Sequence, residues 1–225
     1  MSTIAMETGQ PGIKERRAGP RQLHEQGEDC EIRCRPARSH IERTACARLR
    51  ADVYVWERGW IPPTQLVDGL ELDSDDVRSV HLLASRGGAA VGTARLILPR
   101  AGRLLPVESM LGERLPCGHA GAEVSRLAVA RHARGDSTVM MALCRGLCEA
   151  AVQHGVDDFY AIVEKPFHRY LIYLGFPFRP IGGSRWIYRS WNFPVRVEVA
   201  HVGAAVAAFF SQPDRPTSQA IVGVA

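Results

Sequence analysis

Lysine is nearly absent from this chain: it occurs only as Lys14 and Lys165, although Lys and Arg together number 28. A basic complement made of arginine suits bidentate contact with carboxylates and phosphates. Aromatic residues are also sparse, at 7%. They do not interleave with the arginines as a stacking platform for nucleic acid requires, so nucleic-acid binding is not expected. No apolar run approaches the roughly 20 residues of a membrane span, which argues against stable membrane insertion. Met1-Ser-Thr-Ile-Ala5 lacks the basic stretch and apolar run of a secretory signal. A cytoplasmic protein with reduced thiols is the expectation. The 6 cysteines, at Cys30, Cys34, Cys46, Cys117, Cys144 and Cys148, fit no common zinc spacing even with His40 nearby. No metal site is expected, and Cys144 and Cys148, four apart on an apolar helix face, read as small hydrophobes.

What is present supports one ordinary domain: 225 residues with 46% hydrophobic content and a mild net charge of +4. Residues 1–29, rich in Gly, Pro, Gln and charge without a period, read as a flexible tail, and 211–225 as a second one. Between them, 30–210 carries the domain. Cys30–Arg35 reads as a short first strand. Ser39 and Glu42 form a capping box, and Ile41, Ala45, Leu49, Val53 and Trp56 recur at helical spacing up to Gly59. Arg50, Tyr54 and Glu57 share a neighbouring face. An acidic loop follows, with Asp68, Glu71, Asp73, Asp75 and Asp76. Val80–Ala84 and Val91–Leu98 read as strands joined in a hairpin at Arg86-Gly-Gly88. Residues 99–121 look irregular.

The organising stretch is Ala122-Glu-Val-Ser-Arg-Leu-Ala-Val-Ala130. Strict alternation puts Glu123, Ser125, Leu127 and Val129 on one face and Val124, Arg126 and Ala128 on the other. A basic turn follows at Arg131, His132 and Arg134. A helix with an apolar stripe runs from Ser137 to about Ala151, then a buried strand at Phe159–Val163. Pro166 opens a helix that ends at Leu174-Gly-Phe176. A last strand spans Val195–Val199, before an Ala-rich segment. The order implies an α/β fold with a mixed central sheet flanked by helices.

The ending Tyr173-Leu-Gly-Phe176 after a penultimate strand resembles the C-terminal signature of the GNAT acyltransferases. Their pyrophosphate turn falls at His132, Gly135 and Ser137, with departures at the first and last, which counts against acetyl-CoA as donor. A closer resemblance is to the GNAT-like branch holding the acyl-homoserine-lactone synthases and the N-acyl amino acid synthases. Four pieces carry it: Arg50-x-x-x-Tyr54 with Trp60, Glu71-x-Asp73-x-x-Asp76, Gly92-Thr-Ala-Arg95 and Glu123-Val-Ser125-Arg126. Gly59-Trp60 is similar to the lactone synthases. His81-Leu-Leu, Leu105-Pro-Val-Glu108 and Ala122–Val129 look more like the N-acyl amino acid synthases.

The resemblance implies transfer of a fatty-type acyl group from an acyl thioester to an amino-acid-type amine. Glu123 is the expected proton acceptor, with Glu71 and Asp73 also in the catalytic set. Arg50, Tyr54, Trp60, Asp76, Arg95, Ser125 and Arg126 are the expected acceptor-binding residues. Val129, Arg131, His132, Arg134, Gly135 and Ser137 are the expected donor-binding ones. An acidic acyl carrier protein, steered by that basic run, is the expected donor partner, with acyl-CoA as the other donor. No bound cofactor is expected. Two alternatives stay open: an acyl-homoserine-lactone synthase whose acceptor is S-adenosylmethionine, and a catalytically silent module that only binds an acyl carrier. The plainer reading of the acidic loop is a solvated turn with surface ion pairs such as Asp73–Arg50, and of the apolar helix and strand, simply core.

Overall fold

The fold, described by a computed structural model over residues 31–115, 120–135 and 137–211, grows outward from one mixed sheet. The two expected tails, Ser211 apart, lie outside these residues, as do Cys30, Cys117 and Asp136. A short strand β1 (Arg33–Pro36) leads into helix α1 (His40–Arg50). The capping box forms as the spacing predicts: Glu42 N donates to Ser39 Oγ at 3.2 Å, and Ser39 N donates to Glu42 Oε2 at 2.9 Å. The chain continues helically to Glu57, but Ala51–Glu57 is a π-helix. Its wider turn shifts the facing of every later side chain relative to α-helical spacing. Val53, Tyr54 and Val55 are all buried in consequence, while Trp56, expected on the apolar stripe, is 64% exposed. Ile41, expected on the same stripe, is exposed as well.

Strands β2 (Ser79–Arg86) and β3 (Ala89–Ile97) form the expected hairpin. Its turn residues Gly87 and Gly88 take φ of 56° and 77°, a conformation that favours glycine. The stretch 99–121 is not wholly irregular: Pro106–Leu111 is a short helix, α2, with Pro106 at its start. Then come β4 (Gly121–Val129), α3 (Thr138–Gln153), β5 (Asp158–Glu164) and α4 (Lys165–Tyr173). The final strand is longer than expected, β8 (Ser190–Glu198), and two short strands precede it, β6 (Arg179–Pro180) and β7 (Arg185–Ile187). The Ala-rich segment is helix α5 (Val199–Phe210).

The sheet order is β1-β2-β3-β4-β5-β8-β6, with β7 also on β8. All pairings are antiparallel except β4–β5. That parallel pair is held only from Gly121↔Asp158 to Glu123↔Tyr160, and beyond Glu123 the two strands diverge. The sheet's two faces are unlike. Leu82, Ala84 and Gly92 face α3, so tightly that a Cβ on Gly92 would lie 2.7 Å from Val139 and 3.1 Å from Leu143. The alternate residues His81, Thr93 and Arg95 point the other way, toward α1 and the acidic loop. Among the described residues, no helix is long and apolar enough to cross a membrane.

Candidate active site

The strict alternation expected of β4 fails at Arg126. The register slips between Arg95↔Ser125 and Thr93↔Ala128, so two residues of β4, Arg126 and Leu127, oppose Ala94 alone on β3. Arg126 absorbs the extra residue with φ of 50°. The bulge turns its guanidinium onto the same acidic loop that Arg95 reaches. Arg126 donates to Glu71 Oε1 and Asp73 Oδ2, each at 2.9 Å. Arg95 donates to Asp73 and Asp76, each at 2.6 Å, and to Ser125 Oγ at 3.0 Å.

Arg50 completes this cluster from α1. It donates to both carboxylate oxygens of Asp76 at 2.9 Å and to the Glu71 carbonyl oxygen, and its Nε lies 2.6 Å from Glu71 Oε2. Arg50, Arg95 and Glu71 are buried. The loop is therefore no solvated turn, and Asp73 pairs with Arg95 and Arg126 rather than with Arg50. Burial alone would raise the Asp76 carboxyl. The Arg50 hydrogen bond and the charges of Arg50 and Arg95 outweigh it and hold Asp76 well below the usual carboxylate range. Asp73 is likewise lowered: burial opposes, and the Arg95 bond and charge with Arg126 prevail. These carboxylates are fixed in their ionised form as scaffolding for three arginines.

Glu123 differs from all of them. It is 2% exposed, and its Oε2 accepts a hydrogen bond from the backbone N–H of Val107, at the start of α2. Burial pushes its carboxyl up to about 8, against the lowering pull of the Val107 N–H and the Arg95 charge.

A cavity of about 380 Å³ opens where β4 and β5 part. Its polar lining includes Asp73, Asp75, Arg95, Glu123, Ser125, Arg126 and Glu164, beside the rings of Tyr54 and Trp60. Those rings lie 5.4 Å apart, Arg126 lies 5.8 Å over Tyr54, and Tyr54 Oη donates to the Leu127 carbonyl at 2.7 Å. Its apolar lining comes from Met140, Cys144 and Leu147 of α3, Phe159, Ala161 and Val163 of β5, and Phe176 and Val202. These residues both pack the domain and line a hollow in it.

The expected residues thus divide. Tyr54, Trp60, Asp73, Arg95, Glu123, Ser125 and Arg126 meet around the cavity. Arg50, Glu71 and Asp76 stand behind it and hold the arginines. The expected donor-binding set, Val129, Arg131, His132, Arg134, Gly135 and Ser137, lines no part of it. Arg131 and His132 are exposed. Arg134 forks onto Glu57 at 2.5 and 2.9 Å, and Ser137 Oγ meets Tyr170 Oη at 2.9 Å. Residues that the sequence did not flag also line the cavity: Tyr188, Ser190 and Asn192 of the β7–β8 hairpin, and Phe167. Nothing in Ile187-Tyr-Arg-Ser190 signals a turn, since Tyr188 and Arg189 take φ of 51° and 61° without being glycine.

A family model described as N-acyl amino acid synthase FeeM matches residues 45–198. The chain belongs to that family. It is an acyltransferase of the GNAT-like branch shared with the acyl-homoserine-lactone synthases. It is 30% identical over 161 residues to a probable acyl-homoserine-lactone synthase of Sinorhizobium fredii, covering 66% of this chain and 73% of that one. Identity is also 30% over 164 residues with the isovaleryl-homoserine lactone synthase of Bradyrhizobium diazoefficiens, covering 68% and 70%. In fold it is similar to the CoA-dependent acyl-homoserine lactone synthase BjaI, solved with SAM and isopentyl-CoA. The TM-score is 0.62 at 24% identity, over 79% of this chain and 88% of that one. The family match contains the acidic loop, β4 and the β7–β8 hairpin, so every polar residue lining the cavity falls within it.

Proposed function

We propose that this acyltransferase joins a fatty-type acyl group, delivered as a thioester, to the amine of an amino acid. The observation that carries the proposal is the continuity of one cavity, polar around Glu123 and apolar between α3 and β5. The acyl chain lies in the apolar part with its carbonyl near the parting of β4 and β5, where backbone N–H groups of β4 polarise it. The acceptor enters at the polar part, its carboxylate toward Arg95 and Arg126 and its ammonium toward Glu123. An ammonium beside Glu123 favours the ionised carboxylate, which takes the proton. The freed amine attacks the thioester carbon, the C–N bond forms and the C–S bond breaks; the nitrogen gives its second proton to the departing thiolate, and Glu123 releases the first to solvent. The thioester is itself the activated group, so the step needs no bound cofactor or metal. The exposed Arg131, with His132 beside it as a hydrogen-bonding neighbour, forms a contact for an acidic acyl carrier protein in the cytoplasm, with acyl-CoA as the other donor.

A second reading has S-adenosylmethionine as acceptor, acylation being followed by lactone closure and release of methylthioadenosine. It is favoured by the two lactone synthases among the relatives. The test is purified protein with an acyl thioester and either amino acids or S-adenosylmethionine. Thiol release with a single amino acid, and an amide product of matching mass, supports the proposal. Methylthioadenosine formation moves the function to lactone synthesis, and no thiol release with any acceptor sinks both.

A further inference from the structure

From Lys165 to Val197 the chain carries Lys165, Arg169, Arg179, Arg185, Arg189 and Arg196 and not one Asp or Glu. Part of this stretch is the β7–β8 hairpin, at the outer edge of the sheet. Trp186 and Trp191 face each other across it, with ring centroids 5.6 Å apart in an edge-to-face pair. They are 61% and 58% exposed, so this aromatic pair is built on the surface rather than in the core. Arg185 lies next to Trp186 on β7, Arg189 in the turn that follows and Arg179 on the neighbouring strand β6; all three are exposed, and none of them makes an ion pair with a described residue. Three other residues of the same hairpin, Tyr188, Ser190 and Asn192, line the cavity. The exposed tryptophan pair and the cavity wall thus belong to one element.

We propose that the β7–β8 hairpin docks this protein on an anionic lipid surface. Indole rings settle at the boundary between headgroups and acyl chains, and arginines free of acidic partners are drawn to anionic headgroups. Trp186 and Trp191 supply the first contact, Arg179, Arg185 and Arg189 the second. An acidic protein would meet the same arginines, and its binding is an outcome of the test below; the bilayer is favoured because indoles at its boundary and arginines at its headgroups are both its ordinary anchors. The docking stands on the hairpin alone; its purpose rests on the acyl-transfer reading, since it brings a cavity wall to the bilayer into which an acylated product partitions.

The experiment is co-sedimentation of the full chain with phosphatidylcholine vesicles made with and without phosphatidylglycerol, read with tryptophan emission. The expected result is binding to the anionic vesicles only, weakened by salt, with a blue shift of the emission. Arg185→Glu with Arg189→Glu lowers partitioning roughly tenfold or more. Trp186→Ala with Trp191→Ala lowers it and removes the blue shift. Both double variants keep the circular dichroism spectrum and the turnover of a water-soluble acyl donor. The proposal is overturned by absence of binding to anionic vesicles, by binding that neither double variant weakens, or by hairpin variants that instead weaken binding of purified acyl carrier protein. Vesicle binding by a protein that transfers no acyl group would leave the docking standing and remove the functional reading.

Discussion

The backbone N–H of Val107 donates to Glu123 Oε2 at 2.7 Å, joining a helix start to the buried carboxyl of the central strand. That bond and the Arg95 charge are what keep Glu123 from rising beyond about 8 in its dry surroundings. A carboxyl poised there has a conjugate base strong enough to deprotonate an ammonium, which Asp73 and Asp76, held low by their arginines, cannot match.

The first prediction concerns rate against pH. Only the ionised form of Glu123 accepts a proton, and its pKa is raised, so kcat/KM climbs as pH rises and levels off above about 8. Glu123→Gln lowers kcat/KM by roughly 10²- to 10⁴-fold and abolishes that limb. A wild-type profile that is flat across this range contradicts the assignment.

Glu108 acts on Glu123 through the backbone. Its carboxylate accepts from Leu105 N at 2.8 Å and Leu115 N at 3.0 Å, closing the loop that aims Val107 N–H. Glu108→Gln keeps one acceptor oxygen and loosens that loop, so Glu123 loses part of the donor that lowers it. The rising limb moves to higher pH in Glu108→Gln, while the rate on the plateau changes little. An unmoved limb shows that Glu108 serves stability alone.

Much of this arrangement was legible in the sequence, and the misses have physical causes. Ser39 and Glu42 announced α1, and the resemblance singled out Glu71, Asp73 and Asp76, though as groups facing the reactants rather than as partners of three arginines. Gly92 stood in a recognisable motif, and the structure supplies the reason: α3 packs where a Cβ would collide. What could not be read was any departure from regular period. The π-helix exposes Trp56, and the bulge at Arg126 carries its guanidinium from the expected far face into the site. Helix α2 is too short to show a period, and the Tyr188-Arg189 turn bears no turn residue. The β7–β8 wall of the cavity was invisible for that last reason.

Arg50 should be far more costly to lose than an exposed ion-pair residue. Arg50→Met leaves the buried Glu71 carboxylate facing an apolar side chain, a loss of about 3–5 kcal/mol, read as a drop in unfolding midpoint in urea. The pH dependence has a definite sign. Asp73 and Asp76 are lowered in the fold, so their pairs contribute fully above the ordinary value of 3.8 and are lost as pH falls through their folded pKa values. The acid-side loss of stability is steep in the wild type and shallower in Arg50→Met. Equal acid limbs in the two proteins contradict this.

Cys144 lines the cavity, yet burial raises its thiol far above the usual range, so almost no thiolate exists at neutral pH. Cys144→Ala retains turnover within a few-fold, and no acylated protein accumulates when donor is added without acceptor. A mass increase of one acyl group on the wild type alone would mean transfer through a covalent intermediate.

The most direct test of the central claim is mass spectrometry of organic extracts from a bacterial host expressing the wild-type chain, beside the same host expressing Glu123→Gln at equal level. The account predicts amide-linked acyl amino acids in the wild-type extract, reduced to the host background by the substitution. Equal amounts of the same amides in both extracts would contradict it, because the proton would then leave the amine without Glu123.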